Sequence, residues 1–200
     1  MGWDHIIYQD RTFREEDWSD DALTGCGFTA CSFPGGSFEG SVLKNCVFDR
    51  CSFRFTSFAG AVAEGCAFLN CVFDEANLFG ATFRDCKCTG SGLAGACATG
   101  FTIAGGSYAY CCLSRMSFQK AELAGVSFAH ADLRDCSFRD ADLRYCDLSQ
   151  ALMQNCDLSG ADLRGAGLSG VDVRALRMKN TTIDLEQAVV IAQGLGARLG

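Results

Sequence analysis

Fourteen cysteines, two histidines and 24 acidic side chains are the groups in this 200-residue chain with chemistry to offer. Thiols in such number can hold zinc, close disulfides in an oxidising compartment or act as nucleophiles once deprotonated. Their spacing points elsewhere. No Cys-x-x-Cys pair occurs, and only His5 and His130 are available as imidazoles. Cysteines recur instead at intervals of five, as in Cys26 and Cys31, Cys46 and Cys51, and Cys66 and Cys71. That interval suits core thiols better than ligands, and Cys86, Cys88, Cys97, Cys111 and Cys112 are the least regular, hence the first places to look for reactivity. Gly90-Ser91-Gly92-Leu93-Ala94-Gly95 has the letters of a dinucleotide-binding turn, but no helical pattern follows it. Asn180-Thr181-Thr182 is a glycosylation sequon without other signs of secretion. No nucleophile sits in a constellation with a base. The expectation is a protein with no catalytic site, no cofactor and no metal.

The elements that carry these residues follow from a repeat of five. Ala131-Asp132-Leu133-Arg134-Asp135 is followed by Cys136-Ser137-Phe138-Arg139-Asp140 and Ala141-Asp142-Leu143-Arg144-Tyr145. With the central Leu or Phe as position i, the phase runs unbroken from Phe13 to Ile183. Those 35 positions hold 13 Phe, 12 Leu and no charge. Position i−2 holds mostly Ala, Cys, Ser and Gly, including 11 of the 14 cysteines. Most charge falls at i−1, i+1 and i+2.

A period of five fits neither helix nor plain strand. Each unit must turn a corner, with large i and small i−2 pointing inward. Four units make a square coil of 20 residues, and that period shows in Phe13, Phe33, Phe53 and Phe73. Coils spaced by about 4.8 Å predict a rod of just under nine coils, about 42 Å long. The expected fold is all-β: a right-handed quadrilateral β-helix over 1–183, with a short helix over 184–200. The pattern weakens over 87–112, where Cys88 and Ala98 are small at i and Phe101 is large at i−2; this reads as a bent or locally loosened middle with compensating volumes, a flexible hinge being the alternative. After Ile183, Asp184 and Gln187 form a capping box. Leu185, Ala188, Val189, Ala192 and Leu195 share one helical face. This segment reads equally as a simple cap over the β-helix end and as a cap that also dimerises.

A net charge of −7 argues against binding nucleic acid phosphates directly. It favours basic partners or simple solubility. No apolar run approaches a membrane span, and the amino-terminal 21 residues lack a signal-peptide core. A cytoplasmic protein without membrane contact is expected.

The columns at i and i−2 identify the chain as similar to the pentapeptide-repeat family over 11–183. The stretch Arg11-Thr12-Phe13-Arg14-Glu15-Glu16-Asp17, then Cys26-Gly27-Phe28-Thr29-Ala30-Cys31-Ser32-Phe33, and the tail Ile183-Asp184-Leu185-Glu186-Gln187-Ala188-Val189 resemble the MfpA and Qnr group of gyrase-interacting proteins. An uninterrupted phase, without projecting loops, resembles the MfpA type more. The resemblance implies a homodimer joined through the C-terminal coils and helix, with Met178, Ile183, Leu185, Ala188, Val189, Ala192 and Leu195 at the interface. It also implies mimicry of duplex DNA and binding to DNA gyrase, with inhibition or protection from quinolones or a toxin. A scaffold for another protein partner shares the same repeat.

Charge bears on mimicry. Duplex DNA carries one charge per roughly 1.7 Å, so a 42 Å rod would need about 25. Any mimicry must therefore rest on local columns. Glu122, Asp142 and Asp162 lie one coil apart at i−1; Asp132 and Asp172 share another face, with Leu152 between; Asp147 and Asp157 serve the remaining two. Arginines recur two residues after several of these acids, so solvation and pairing across the surface explain any single acid at least as well.

Overall fold

The structure is a computed structural model that describes residues 2–198 and 200. It contains two compact units, Met1–Ser107 and Tyr108–Gly200. The division falls inside the stretch where the repeat weakens.

In the first unit the chain coils through short parallel strands. Strands β1 (Gly2–Asp4), β3 (Ala22–Thr24), β5 (Val42–Lys44), β7 (Val62–Glu64), β9 (Thr82–Arg84) and β10 (Thr102–Ala104) form one six-stranded sheet. Strands β2 (Ile7–Gln9), β4 (Gly27–Thr29), β6 (Val47–Asp49) and β8 (Ala67–Leu69) form a second, of four. Each pairs with the residue 20 further on, as in Leu23 with Leu43 and Phe28 with Phe48. Single parallel bridges such as Ser32 to Ser52 and Ser37 to Ser57 make the other two sides. This is the quadrilateral β-helix expected from the period of five.

The corner explains the period. Apart from Gly95 and Ala175, residues at i+2 in the described coils take left-handed φ, as Asp10 does at 52°, Tyr110 at 60° and Arg115 at 66°. Gly, Asn and Asp suit that conformation, and they fill many corners. Phe55, Tyr110 and Tyr145 adopt it as well, and their side chains stand exposed. Gly106 is more constrained. Its φ is 88°, and a Cβ there would run into the Cys86 carbonyl oxygen, so only glycine fits.

Position i fills the interior. From Phe13 to Ile183 every such residue is buried except Phe13, Ala98, Met178 and Ile183, which are half-buried. Phe13, Phe33, Phe53 and Phe73 stack with centroids 5.2, 5.0 and 4.8 Å apart. Phe28, Phe48 and Phe68 stack at 4.9 and 5.0 Å, nearly parallel. Adjacent columns meet edge-on, as Phe33 and Phe38 do at 5.6 Å, the geometry aromatic quadrupoles favour. Where Cys88 is too small to continue its stack, Phe83 from the neighbouring side packs on Phe68 at 4.9 Å, and Phe101 meets Phe83 edge-on at 5.1 Å. These are the expected compensating volumes. The column also starts earlier than the sequence reading placed it: Trp3 pairs with Leu23 and Tyr8 with Phe28.

The cysteines at i−2 have a backbone task that spacing alone did not reveal. At most corners the i−2 amide donates back to the preceding i carbonyl, as Ala61 does to Phe58 at 2.9 Å. After the strands of the two sheets this bond is missing among the described residues, and the i−2 residue there is usually Cys. A thiol from the next coil bridges the two orphaned groups. Cys46 Sγ donates to Leu23 O at 3.4 Å and takes a hydrogen bond from the Cys26 amide. Cys51 does the same with Phe28 O, at 3.3 Å, and the Cys31 amide. Ser91 does it with Phe68 O at 2.8 Å and the Cys71 amide at 2.9 Å. Buried amides and carbonyls need such partners.

In the second unit every coil is held by single bridges, including Cys112–Asp132–Leu152 and Glu122–Asp142–Asp162–Thr182. Here Cys136, Cys146 and Cys156 donate to Leu113, Leu123 and Leu133 carbonyls at 3.1, 2.9 and 2.9 Å. Burial pushes each of these thiols up to about 12, so they stay protonated donors. A 3-10 turn, Val173–Ala175, interrupts the last coil. Helix α1, Leu185–Gly194, follows, with the expected capping box between Asp184 and Gln187. Its inward anchor is not Leu185, which is 81% exposed, but Gln187, which is buried and donates to Ala166 O at 3.0 Å. Leu195 lies beyond the helix and is also exposed; Ala188, Val189 and Ala192 are half-buried.

Of the cysteines expected to be reactive, Cys86, Cys88 and Cys111 are buried. Each lies in the interior of its own unit. Cys97 is exposed and Cys112 half-buried. The thiol bridge gives a test. Cys51→Ser keeps a group that donates and accepts, as Ser91 does, and should unfold near the parent's midpoint. Cys51→Ala leaves two buried backbone groups unpaired and should lose about 1–3 kcal/mol in urea unfolding. Equal losses for Ser and Ala would contradict the bridging role.

Candidate functional site

The acids at i−1 begin as corner residues. The Asp132 carboxylate accepts from the Arg134 amide at 3.2 Å, Asp142 from Arg144 at 3.0 Å and Asp162 from Arg164 at 3.1 Å. Asp147 and Asp157 accept from the Ser149 and Ser159 amides, both at 3.0 Å. Ser37 and Asn77 hold corners of the first unit in the same way. A short acceptor side chain two residues before the free amide is what this turn asks for. Asp at i−1 is thus explained before any partner is invoked.

Arginine at i+1 then folds back on the same carboxylate. Arg134, Arg144 and Arg164 pair with Asp132, Asp142 and Asp162 at 2.6 Å, and Arg174 pairs with Asp172 at 2.9 Å. Arg139 reaches Asp157 at 3.2 Å, one coil on. Of the seven acids singled out from the sequence, only Glu122, Asp142 and Asp162 form a column, and two of these three are engaged by arginine. Asp132 is flanked by Cys112 and Leu152, Asp147 by Ser127 and Gly167, and Asp157 by Ser137 and Arg177. Asp172 caps the 3-10 turn.

The uncompensated charge lies elsewhere. Residues 1–107 hold 13 acids and 7 bases, whereas residues 108–200 hold 11 and 10. Among the described residues, no Lys or Arg side chain lies within salt-bridge distance of Asp4, Asp10, Glu15, Glu16, Asp17 or Asp20. The sequence shows that asymmetry directly, whereas the regular Asp-x-Arg spacing of the second unit marks acids that are already paired.

The profile of eight pentapeptide-repeat copies matches residues 51–90, and a second, described as a pentapeptide repeat region, matches 111–187. The chain belongs to the pentapeptide-repeat family. Among solved structures, a trypsin-treated variant of QnrB1, a plasmid-mediated fluoroquinolone resistance protein, superimposes with a TM-score of 0.86 at 19% identity, covering 100% of both chains. A second trypsin-treated QnrB1 variant gives 0.82 at 19% identity, covering 98% of this chain and 99% of that one. Full-length QnrB1 gives 0.73 at 20% identity, covering 96% and 100%. At this identity the likeness speaks to fold, and it places this pentapeptide-repeat chain on the QnrB1 architecture. No curated protein sequence matches the chain significantly. No described helix is long and apolar enough to cross a membrane.

The pairing has a pH signature. Side-chain hydrogen bonds from Arg134, Arg144 and Arg164 hold the Asp132, Asp142 and Asp162 carboxyls below their ordinary values. A depressed folded pKa stabilises above the unfolded value of about 3.9 and is lost as pH falls through the folded one. These groups are near the surface and screened by solvent, so each pair contributes little. The melting temperature should be flat from about pH 7 to 5 and fall between about pH 4 and 2. In an Arg134→Gln, Arg144→Gln, Arg164→Gln variant the acid fall should be shallower. An unchanged acid limb would show that the pairs contribute nothing.

Proposed function

We propose that this pentapeptide-repeat protein is a non-catalytic mimic of duplex DNA that binds DNA gyrase. It thereby inhibits the enzyme or shields it from quinolones or a gyrase-targeting toxin. The observation that carries this reading is the full-length match to the fold of QnrB1, a fluoroquinolone resistance protein. The acidic surface supports it, because carboxylates can occupy basic surfaces that otherwise hold a DNA segment. Mechanism on this reading is competition.

The charge distribution refines where that competition would act. The column Glu122, Asp142 and Asp162 is one candidate face, with Asp132 and Asp172, Asp147, and Asp157 on the other three sides; arginines weaken all of these acids but Glu122 and Asp147. The first unit supplies the stronger field, with Asp17, Asp20 and Glu39 on one side of its opening coils. Two copies would join through the C-terminal segment, where Leu185 and Leu195 are exposed beside half-buried Met178, Ile183, Ala188, Val189 and Ala192. Apolar side chains left in water at a β-helix end favour such pairing.

Supercoiling by purified gyrase, with and without a fluoroquinolone, tests the reading. The parent should inhibit supercoiling or reduce drug-induced cleavage at micromolar dimer. Asp17→Asn, Asp20→Asn, Glu39→Gln should weaken the effect more than Glu122→Gln, Asp142→Asn, Asp162→Asn. No effect of the parent on either readout would reject gyrase as the partner and leave a scaffold for a different protein.

A further inference from the structure

One side of the second unit departs from the acidic balance of the chain. Ser117, Ser137, Asp157 and Arg177 bridge there in parallel, coil to coil. The outward residues on this side include Lys120, Arg139, Arg177 and Lys179 against Asp140 and Asp157. On the other three sides of the unit's coils, acids equal or outnumber Lys and Arg. The corner on the basic side holds a groove. Lys120, Asp140 and Gly160 donate their amides to the Arg139, Ser159 and Lys179 carbonyls at 2.8, 3.0 and 2.9 Å, so successive coils stay in register. Gly160 has no side chain and Ser159 a short one, whereas Arg139 and Lys179, one coil to either side, are long. Between them lies an open groove of about 260 Å³, lined by Arg139, Asp140, Ser159, Gly160, Lys179 and Asn180.

Two coil spacings put the Arg139 and Lys179 backbones about 9.6 Å apart. Side chains of that length can both reach one tetrahedral oxyanion held between them. Asp157 positions the first of the two. Its carboxylate accepts from the Ser159 amide at 3.0 Å and from Arg139 Nη1 at 3.2 Å. Arg139 Nε and Nη2 meet no protein acceptor among the described residues, and the Lys179 ammonium meets no carboxylate there within salt-bridge distance. These donors are left for a ligand, and guanidinium and ammonium are the groups that hold phosphate. Asp140 opposes an anion. Its carboxylate lies against Gly160, where a Cβ would run into it, as Asp20 lies against Gly40 and Asp85 against Gly105. Its place follows from that corner packing. Four bases against two acids leave this side with two net positive charges, enough to outweigh it locally.

We propose that this groove binds the phosphate group of a small molecule, with Arg139 and Lys179 as the binding groups. The groove is smaller than the roughly 300–1,000 Å³ of drug-sized pockets, which limits the ligand to phosphate itself or a short phosphate monoester. This site is independent of the gyrase reading.

Isothermal titration calorimetry of the parent protein with sodium phosphate, at about pH 8 and constant ionic strength, tests the site. A chain of net charge −7 does not gather anions through its overall field, so a saturable isotherm reports a local site. The expected dissociation constant is below about 5 mM. Arg139→Gln and Lys179→Gln should each weaken binding at least threefold, and Asp140→Asn should tighten it at least twofold. Arg54→Gln, at a base of the first unit, should leave it unchanged, with circular dichroism and melting confirming the fold of every variant. Glycerol 3-phosphate in a parallel titration separates the two sources: tighter binding than phosphate assigns the site to an ester, equal or weaker binding to the free anion. No saturable heat with either probe up to about 20 mM would overturn the site. Binding that survives both Arg139→Gln and Lys179→Gln, or that falls as much with Arg54→Gln, would overturn its assignment to this groove.

Discussion

A coil closes where the residue at i+2 accepts a left-handed corner, as all but Gly95 and Ala175 do within the described coils, while the residue at i enters a dry channel. The two demands are coupled. Turning the corner aims the backbone amides and carbonyls along the coil axis, where the neighbouring coil satisfies them, as Phe33 N does with Ser52 O at 2.9 Å. Stacking at that spacing brings like side chains into register 20 residues apart, and aromatic rings suit it well. Neither the ladder nor the channel is stable without the other. The thiols show how tight the coupling is: where a corner omits its own hydrogen bond, a side chain from the next coil repairs it.

That constraint decides what the surface is free to do. Positions i and i−2 are committed to the interior, and i+2 to the corner. Recognition must be written in i−1, i+1 and the outward side chains at i+2, such as Asp20. Even there the backbone intervenes, since Asp132, Asp142 and Asp162 satisfy corner amides before they face solvent. A carboxylate that serves the turn and holds an arginine offers less field to a partner than one with neither. Among the described residues Asp4, Asp10, Glu15, Glu16, Asp17 and Asp20 meet no Lys or Arg side chain within salt-bridge distance, and they are the more available charge.

The interior was legible from sequence because volume and period leave few alternatives: a Phe or Leu every five residues without one charge can only be a channel. The helix cap at Asp184 and Gln187 was legible for a similar reason, as a local motif with one geometry. The repeat phase was read only from Phe13 onward because Trp3 and Tyr8 stand beside large i−2 residues, breaking the second column while keeping the first. The role of the cysteines was not legible, since spacing placed them inside without saying which carbonyl each would meet. Arginine pairing across a corner was anticipated as solvation, but its extent depended on side-chain reach, which letters do not show. Leu185 lies outward and Gln187 inward because the carbonyl of Ala166 required a donor.

Phe53 and Phe55 measure the central claim most directly, being the same residue type two positions apart. Phe53 is fully buried in its stack, whereas Phe55 stands at a corner with 57% of its surface exposed. Urea unfolding of Phe53→Ala should show a loss of about 3–5 kcal/mol, because a full ring leaves the channel. Phe55→Ala should lose less than about 1 kcal/mol, its ring standing mostly in solvent with the Arg54 guanidinium 5.9 Å from its centroid. Comparable losses at the two positions would contradict a channel filled by every fifth side chain.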